Sequence, residues 1–362
     1  FKPYILSNHP LGIFTSRVNH NFNFKPSLFL VEFSISRGNV WLPLVESRLP
    51  NSNTDREFLS NHVWHRRNWQ MENSGITDYK SRSMFADGVF SSYYLSFKSP
   101  LNSFFDIHSN VRINSLSGGK LPYSLLTSDE AIEWFHSNIA GGEDAFGRKR
   151  TGYGNALLEY KDVNNNRISL KENSFLMSEI STYLNFYPNY NFKNINFNLS
   201  GLTSISQMKK TWYFDLGFSG SAIKHFELKK NQLDWGVSCG ILFPSVFQTQ
   251  KVIINNVNRL FSAETHLNYT IPTKNNDAYV IGLNFHAQSN FHSMNERKYN
   301  VIYQDGVTSH DHYGVSHLNR WLNGWTFILG YNWNKTSLNA FFREDFWVDN
   351  APDVQVGWGL QR

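Results

Sequence analysis

The feature that most constrains this chain is a two-residue rhythm. Near its end, Trp325, Phe327, Leu329, Tyr331 and Trp333 alternate with Thr326, Ile328, Gly330, Asn332 and Asn334. Comparable segments recur from one end of the sequence to the other. Successive strand side chains point to opposite faces, so such a segment has one apolar face and one wet face. A soluble sandwich also alternates, so the residues between the apolar positions and the connections must decide. The rhythm predicts twelve strands, at roughly 28–41, 86–98, 101–113, 176–190, 193–206, 211–226, 231–244, 257–271, 276–291, 318–334, 336–348 and 351–362. Outward faces read Val31, Phe33, Ile35; Ile195, Phe197, Leu199; Trp212, Phe214, Leu216, Phe218; Tyr279, Ile281, Leu283, Phe285; and Val354, Val356, Trp358, Leu360. Between them stand Glu32, Ser34, Ser36; Asn194, Asn196, Asn198; Asp215; Gly282, Asn284, His286; and Asp353, Gln355, Gly357. The segment 336–348 carries aromatics on both faces.

The connections alternate in length. Tight turns follow the even strands, at Ser99-Pro100, Asn189–Asn191, Lys229–Asn231, Thr273–Asp277 and Asn334–Thr336. After odd strands they run long at about 42–85, 114–175 and 292–317 and moderate at 245–256 and 346–351, with one short link near Gln207–Lys210. Short turns on one side and long loops on the other mark an outer-membrane barrel. The expected fold is therefore all-β: an antiparallel transmembrane β-barrel of about 12 strands over 28–362, with a periplasmic or lumen-entering segment at 1–27. An even strand count puts both ends of the barrel on the short-turn side, the periplasm.

Composition agrees. No run reaches the ~18–20 apolar residues of a membrane-spanning helix, apolar residues make up 41%, and the mean hydropathy is −0.42. A barrel escapes the helix test because half of each strand is polar. The 30 Phe, 17 Tyr and 11 Trp suit aromatic girdles at both membrane interfaces. A first residue that is Phe rather than Met leads us to expect a removed secretory signal. Cys239 is the single cysteine, so no intramolecular disulfide can form, and it falls on an apolar face with Trp235, Val237 and Ile241. A net charge of +5 without a dense basic stripe gives no reason to expect nucleic acid.

The loop at 114–175 is too long to be structureless. Thr127 or Ser128 can cap a helix, Glu130 stands at capping-box spacing, Ile132, Phe135 and Ile139 share a face, and Gly141-Gly142 would end it. The apolar stripe must be buried in the barrel mouth, on neighbouring loops or on a partner.

Several stretches resemble the bacterial outer-membrane proteins grouped as domain of unknown function 3187. Asn8-His9-Pro10-Leu11 with Phe14 is similar to the family's opening Asn-x-Pro-Leu segment, and Ala86-Asp87-Gly88 to its Asp-Gly strand start. Leu121-Pro122, Ile132-Glu133-Trp134-Phe135-His136 and Gly141-Gly142 resemble its Leu-Pro, Ile-Glu-x-Phe-His and Gly segment. Glu344-Asp345 with Asp349-Asn350-Ala351-Pro352-Asp353 resembles its near-terminal motif. The resemblance implies an outer-membrane barrel and no assigned reaction. Arg362 departs from the aromatic that usually ends a closing strand.

Candidate chemistry is sparse. Glu133 and His136, with Phe135, sit at the densest ionisable segment, near Glu143, Asp144, Arg148, Lys149 and Arg150, but no third metal ligand is evident. His310, Asp311, His312 and His317 are loop histidines with chelating spacing, and His65, Arg66, Arg67 and Trp69 could meet lipopolysaccharide phosphates. For each, an ordinary solvated loop is the simpler reading. The expected lumen carries Glu32, Asp106, His108, Arg112, Asp215, Asp234, Glu264, His266, His286 and Arg343. Their mixed signs fit a plugging network or a weakly selective channel. No Gly-x-Ser-x-Gly elbow and no Ser-His pair on the apolar faces supports catalysis, so no enzyme, cofactor or metal is expected. The expected partners are outer-membrane lipid and lipopolysaccharide, with another outer-membrane or periplasmic protein as a further candidate. Two functions stay open: an envelope-complex or scaffold barrel with an occluded lumen, and a channel for small solutes.

Overall fold

The computed structural model describes residues 2–48, 82–119, 127–140, 154–249, 252–291, 301–308, 321–344 and 354–362, less residues 8, 27, 163, 190, 193, 209, 210, 255, 256, 274, 276, 305 and 306. Twelve strands close a barrel. They are β1 (Leu30–Arg48), β2 (Arg82–Pro100), β3 (Phe105–Ser117), β4 (Phe175–Phe186), β5 (Ile195–Met208), β6 (Thr211–Leu228), β7 (Asn231–Gln248), β8 (Leu260–Pro272), β9 (Ala278–Gln288), β10 (Leu322–Trp333), β11 (Thr336–Glu344) and β12 (Gln355–Gln361). Each pairs antiparallel with the next, and β12 returns to β1 with Gln361 opposite Glu32 and Gln355 opposite Gly38. Reciprocal backbone bonds between Val31 and Arg362, at 2.8 and 2.9 Å, finish the seam. Closure leaves no sheet edge unpaired around the girth, which is what a lipid-embedded sheet requires.

The alternation sorts side chains as expected. Phe33, Leu95, Leu199, Phe218, Trp235, Ile281, Leu329 and Trp358 are exposed on the outer wall, while Glu32, Ser34, Ser36, Asn198, Asp215 and Asn284 are buried inside. Cys239 is exposed on the outer wall. Phe341 and Phe342 resolve the ambiguous segment: Phe341 is buried inside and Phe342 faces out.

Two boundaries differ from expectation. β1 and β2 each run 19 residues, well into the segment 42–85 that the pattern assigns to a loop. Their upper ends stay paired because the wall continues there: a hairpin at Leu157–Lys161 and Arg167–Lys171 pairs with Ser83–Asp87, and Val301–Gln304 pairs with Val45–Arg48. The second difference is a β-bulge. Between Arg112 and Ile113 the β3–β4 register shifts, so Ser178 and Glu179, adjacent in sequence, are both buried. A bulge inserts one residue and reverses the facing of everything beyond it.

The helix expected in the long loop spans Asp129–Phe135, followed by a π-turn over His136–Ala140. Ser128 caps it, its Oγ accepting from Ala131 N at 3.2 Å. Its place rules out the barrel mouth, one of the three seats the sequence leaves open for it. Asn39, on the outer face of β1, donates from Nδ2 to Thr127 O at 2.9 Å and to Asp129 Oδ1 at 2.8 Å, so the helix is tied to the outside of the wall. The stripe is also not buried as a unit: Ile132 is buried, but Phe135 and Ile139 are exposed. Gly141 and Gly142 lie outside the described residues.

Candidate functional site

The lumen is occupied by the chain's own residues 2–24. This segment joins no strand of the wall; it rises inside the barrel from the short-turn end, turns over, and descends to β1. The turn is a 3-10 helix, Pro10–Ile13, with His9 at its N-cap and His9 Nδ1 accepting from Leu11 N at 3.0 Å. The two arms are tied together by Arg17, whose guanidinium donates to Leu6 O at 3.2 Å and to Ile5 O.

An irregular segment inside a barrel leaves its backbone groups without ladder partners, and buried N–H and C=O groups need partners. The polar inner wall supplies many of them. On the rising arm, Gln355 Oε1 accepts from Leu6 N and Arg343 Nη1 donates to Leu6 O, each at 2.9 Å. On the descending arm, Arg112 Nη2 donates to Thr15 O at 2.6 Å, Tyr183 Oη accepts from Asn19 N at 3.1 Å, and Asn198 Nδ2 donates to Asn21 O and Asn23 O at 3.0 and 3.1 Å. Side chains join in: Tyr4 Oη donates to Asn110 Oδ1 at 2.8 Å and the Tyr4 ring stacks on Tyr94 at 4.4 Å, while Ser16 bonds Ser204 and Ser206.

The summit is apolar. Leu11, Ile13 and Phe14 pack among Val40, Leu42, Phe90 and Leu116 from the inner faces of β1, β2 and β3, with Leu158 and Ile168 of the upper hairpin. Val18 packs with Leu202, Leu242, Leu260 and Leu322, and Ile5 with Ile328 and Phe341. Glycines make room lower down. A Cβ on Gly236 would stand 2.4 Å from the Phe22 ring, and one on Gly240 would stand 3.0 Å from both His20 and Val18. These two inward positions of β7 must lack a side chain for the descending arm to lie against the wall.

The short-turn end is different. A cavity of about 830 Å³ opens there, bordered by Lys2, Glu32, Lys98, His108, Asn185 and Asn268 among others. Lys2 Nζ lies 2.7 Å from Glu264 Oε2 and 3.1 Å from His20 O. Burial pushes the Lys2 ammonium down to about 8, with the Glu264 charge acting against that shift.

Of the ten lumen residues singled out from sequence, nine are buried inside; Asp234 is partly exposed, and its Oδ1 lies 2.6 Å from His225 Nδ1. They divide by task. Arg112 and Arg343 hold backbone carbonyls of residues 2–24, and Glu264 holds Lys2. Asp215 caps the wall instead, accepting from Ser245 N at 2.7 Å where β7 is bulged. His266 stacks on Phe22 at 5.3 Å. Glu32 borders the lower cavity, and His286 lies 6.2 Å from the His20 ring. Glu179, the Arg112 counter-ion at 3.3 Å, is hidden from a two-residue reading by the bulge. In the outer helix, Glu133 is buried and accepts from Ser137 Oγ at 2.9 Å, and Phe135 is exposed. The His136 side chain and Glu143, Asp144, Arg148, Lys149, Arg150, His65, Arg66, Arg67, Trp69, His310, Asp311, His312 and His317 lie outside the described residues.

Among the described residues, His20, Glu264 and His286 are a trio whose ligand-type atoms lie within 4.8 Å of one another. Their other contacts read as an ion-paired seat. Glu264 already has a cation in Lys2 and accepts from Asn284 Nδ2 at 2.6 Å, and His20 has Ser238 on Nδ1 at 2.6 Å and Ser262 on Nε2 at 3.0 Å. A dication here would have to displace the ammonium.

No protein-family model and no curated protein matches the chain. Solved structures do resemble it in form. An outer-membrane channel from Pseudomonas putida F1 is similar at a TM-score of 0.40 and 9% identity, over 96% of this chain and 99% of that one. LpxR from Salmonella typhimurium is similar at a TM-score of 0.41 and 6% identity, over 92% and 99%. The KdgM porin in complex with disordered oligogalacturonate is similar at 0.33 and 11%, over 77% and 95%.

Proposed function

We propose that this chain is an integral outer-membrane barrel held shut by its own residues 2–24, serving as a scaffold of the envelope rather than as an open pore. The observation that carries this reading is the summit: Leu11, Ile13 and Phe14 fill the lumen at the long-loop end and are almost fully excluded from solvent. A water-filled pore needs a continuous polar path, and an apolar seal breaks it. The outer apolar belt, the closed sheet and the placement of tight turns support insertion with the short turns in the periplasm. The earlier resemblance to domain of unknown function 3187 fits this proposal, since its Pro10, Leu11 and Phe14 lie at the seal.

Conductance in planar bilayers tests it. The intact protein is expected to show little steady current, and removal of 2–24 to produce a large one, whereas removal of the helix 129–140 leaves the barrel closed. A large stable current from the intact protein would overturn the proposal. Orientation is tested separately: a tag at Asn164, in the upper hairpin turn, should be reached on intact cells and one at Lys229 should not.

The lower cavity favours a second reading, a gated passage for small polar solutes entering from the periplasm. Its signature would be current that appears on adding such a solute, with residues 2–24 intact.

A further inference from the structure

The outer helix does not lie over just any part of the wall. On β1 the outward residues run Phe33, Ile35, Arg37, Asn39; on β2 they run Phe97, Leu95, Tyr93, Ser91, Val89, Asp87. Phe33, Leu95 and Phe97 are exposed, as elsewhere in the apolar belt, whereas Asn39, Ser91, Val89 and Asp87 are buried although they point out. The segment around the helix covers them. Asn39 holds Thr127 and Asp129, and Asn155 donates to Asp87 Oδ2 from its backbone N at 2.7 Å and its Nδ2 at 2.9 Å. Gly119 sits against Val89 and Ser128, its absent Cβ standing 3.0 Å from the valine methyl. From Phe33 to Asn39 a strand tilted by ~35–45° climbs on the order of 15 Å. The helix therefore sits at the upper rim of the belt, where acyl chains give way to headgroups.

Its exposed face starts at Glu130, one turn before Trp134 on the same side, and becomes mainly apolar toward the C-terminal end, where Asn138 is also exposed. Trp134 is 61% exposed and Ile139 62% exposed, with Phe135 between them also exposed. The wall side carries the polar anchors: Asp129 and Glu133 are buried. Trp134 and Ile139 are more than half exposed on the outside of a wall whose own apolar residues, Phe33, Leu95 and Phe97, are exposed below them. Tryptophan at such a level has its ring in the acyl region and its N–H in reach of water.

Resting on the outer-membrane reading above, we propose that residues 129–140 form an interfacial anchor laid in the outer leaflet, with Trp134, Phe135 and Ile139 against lipid acyl chains. This is the arrangement of a helix lying in the interface plane, its apolar face sunk about 5–10 Å below the headgroup boundary. The anchor is fastened to one side of the barrel only, so the leaflet around β1–β2 meets a wider, rougher wall than the leaflet around β6–β7.

Spin-label accessibility in phosphatidylcholine–phosphatidylethanolamine vesicles tests this. Three labelled proteins are compared: native Cys239, and Ile139→Cys and Glu130→Cys, each in a Cys239→Ser background. Residues 130, 139 and 239 are all exposed, so labels there leave the packing intact. The proposal expects the 139 label to match the 239 label, several-fold more accessible to oxygen than to a water-soluble nickel chelate, and the 130 label to show the reverse. If the 139 label is open to nickel while the 239 label is not, the helix stands in water and the proposal fails. Shielding of 139 from both probes, or dipolar broadening between labels, would put protein or a second copy there and also overturn it. Nickel access at 239 itself would instead break the membrane reading.

Discussion

The upper and lower halves of the lumen hold the same segment by opposite means. Above, Leu11, Ile13 and Phe14 sit in a dry cluster with Val40, Leu42, Phe90 and Leu116. Below, Lys2, His20 and Phe22 rest on Glu264, Ser238, Ser262 and His266 beside a cavity of about 830 Å³. Removing a contact above leaves a void that water has no polar reason to enter. Removing one below leaves polar groups that cavity water can solvate. Closure should therefore be decided above, and the lower contacts should position more than they hold.

Substitutions can break this contrast. Phe14→Ala should cost the seated state about 3–5 kcal/mol through the cavity it leaves, read as a large rise in the open fraction of single barrels. His20→Ala below should cost only about 1 kcal/mol, because its two serine partners can turn to water. If His20→Ala opens the barrel as readily as Phe14→Ala, the dry seal is not what closes it. Between these lies Gly236→Val, whose added atoms meet the Phe22 ring. About 1–3 kcal/mol of overpacking is expected, loosening the descending arm, with faster hydrogen exchange at residues 19–23 than at residues 11–14.

The last expectation is a pH response. With Lys2 seated near 8 against an ordinary value of 10.5, the released segment holds a proton that the seated one lacks between those values. Raising the pH from 8 to 10.5 should therefore favour seating, with no Lys2 contribution below that window. Open probability should fall across it, and Lys2→Met should flatten the response.

The wall was legible in the sequence because a barrel strand obeys one rule at a time. Glu32, Ser34 and Ser36 against Phe33 and Ile35 need nothing but period two. The bulge at Ser178 and Glu179 was not legible, since one inserted residue inverts the phase without leaving a mark in composition. The occupant of the lumen was half legible: the sequence marks 1–27 as a periplasmic or lumen-entering segment, but it carries no periodicity to decide between the two, and its partners come from wall strands spread along the chain. A signal was nevertheless present. Within the strands read from sequence, Val40, Phe90, Leu202 and Leu242 are apolar at inward positions, where a hydrated lumen calls for polar groups. Four such violations ask for something apolar inside. The long loop helix was the obvious donor, but Asn39, an outward amide holding Thr127 and Asp129, assigns it to the other side of the wall.

Both arms of the lumen segment open toward the short-turn end, and residues 25–29 join the descending arm directly to β1. Nothing has to be threaded: the segment enters and leaves as a bent finger, through one mouth. Five extended residues reach at most ~17 Å, so a finger that slips out stays within a molecular diameter of its seat. Its return is first-order, at an effective concentration on the order of millimolar. Openings would thus be brief and indifferent to how many copies share the membrane, and a free peptide of the same sequence would compete poorly. Any partner that keeps the barrel open must hold the finger itself, from the short-turn side.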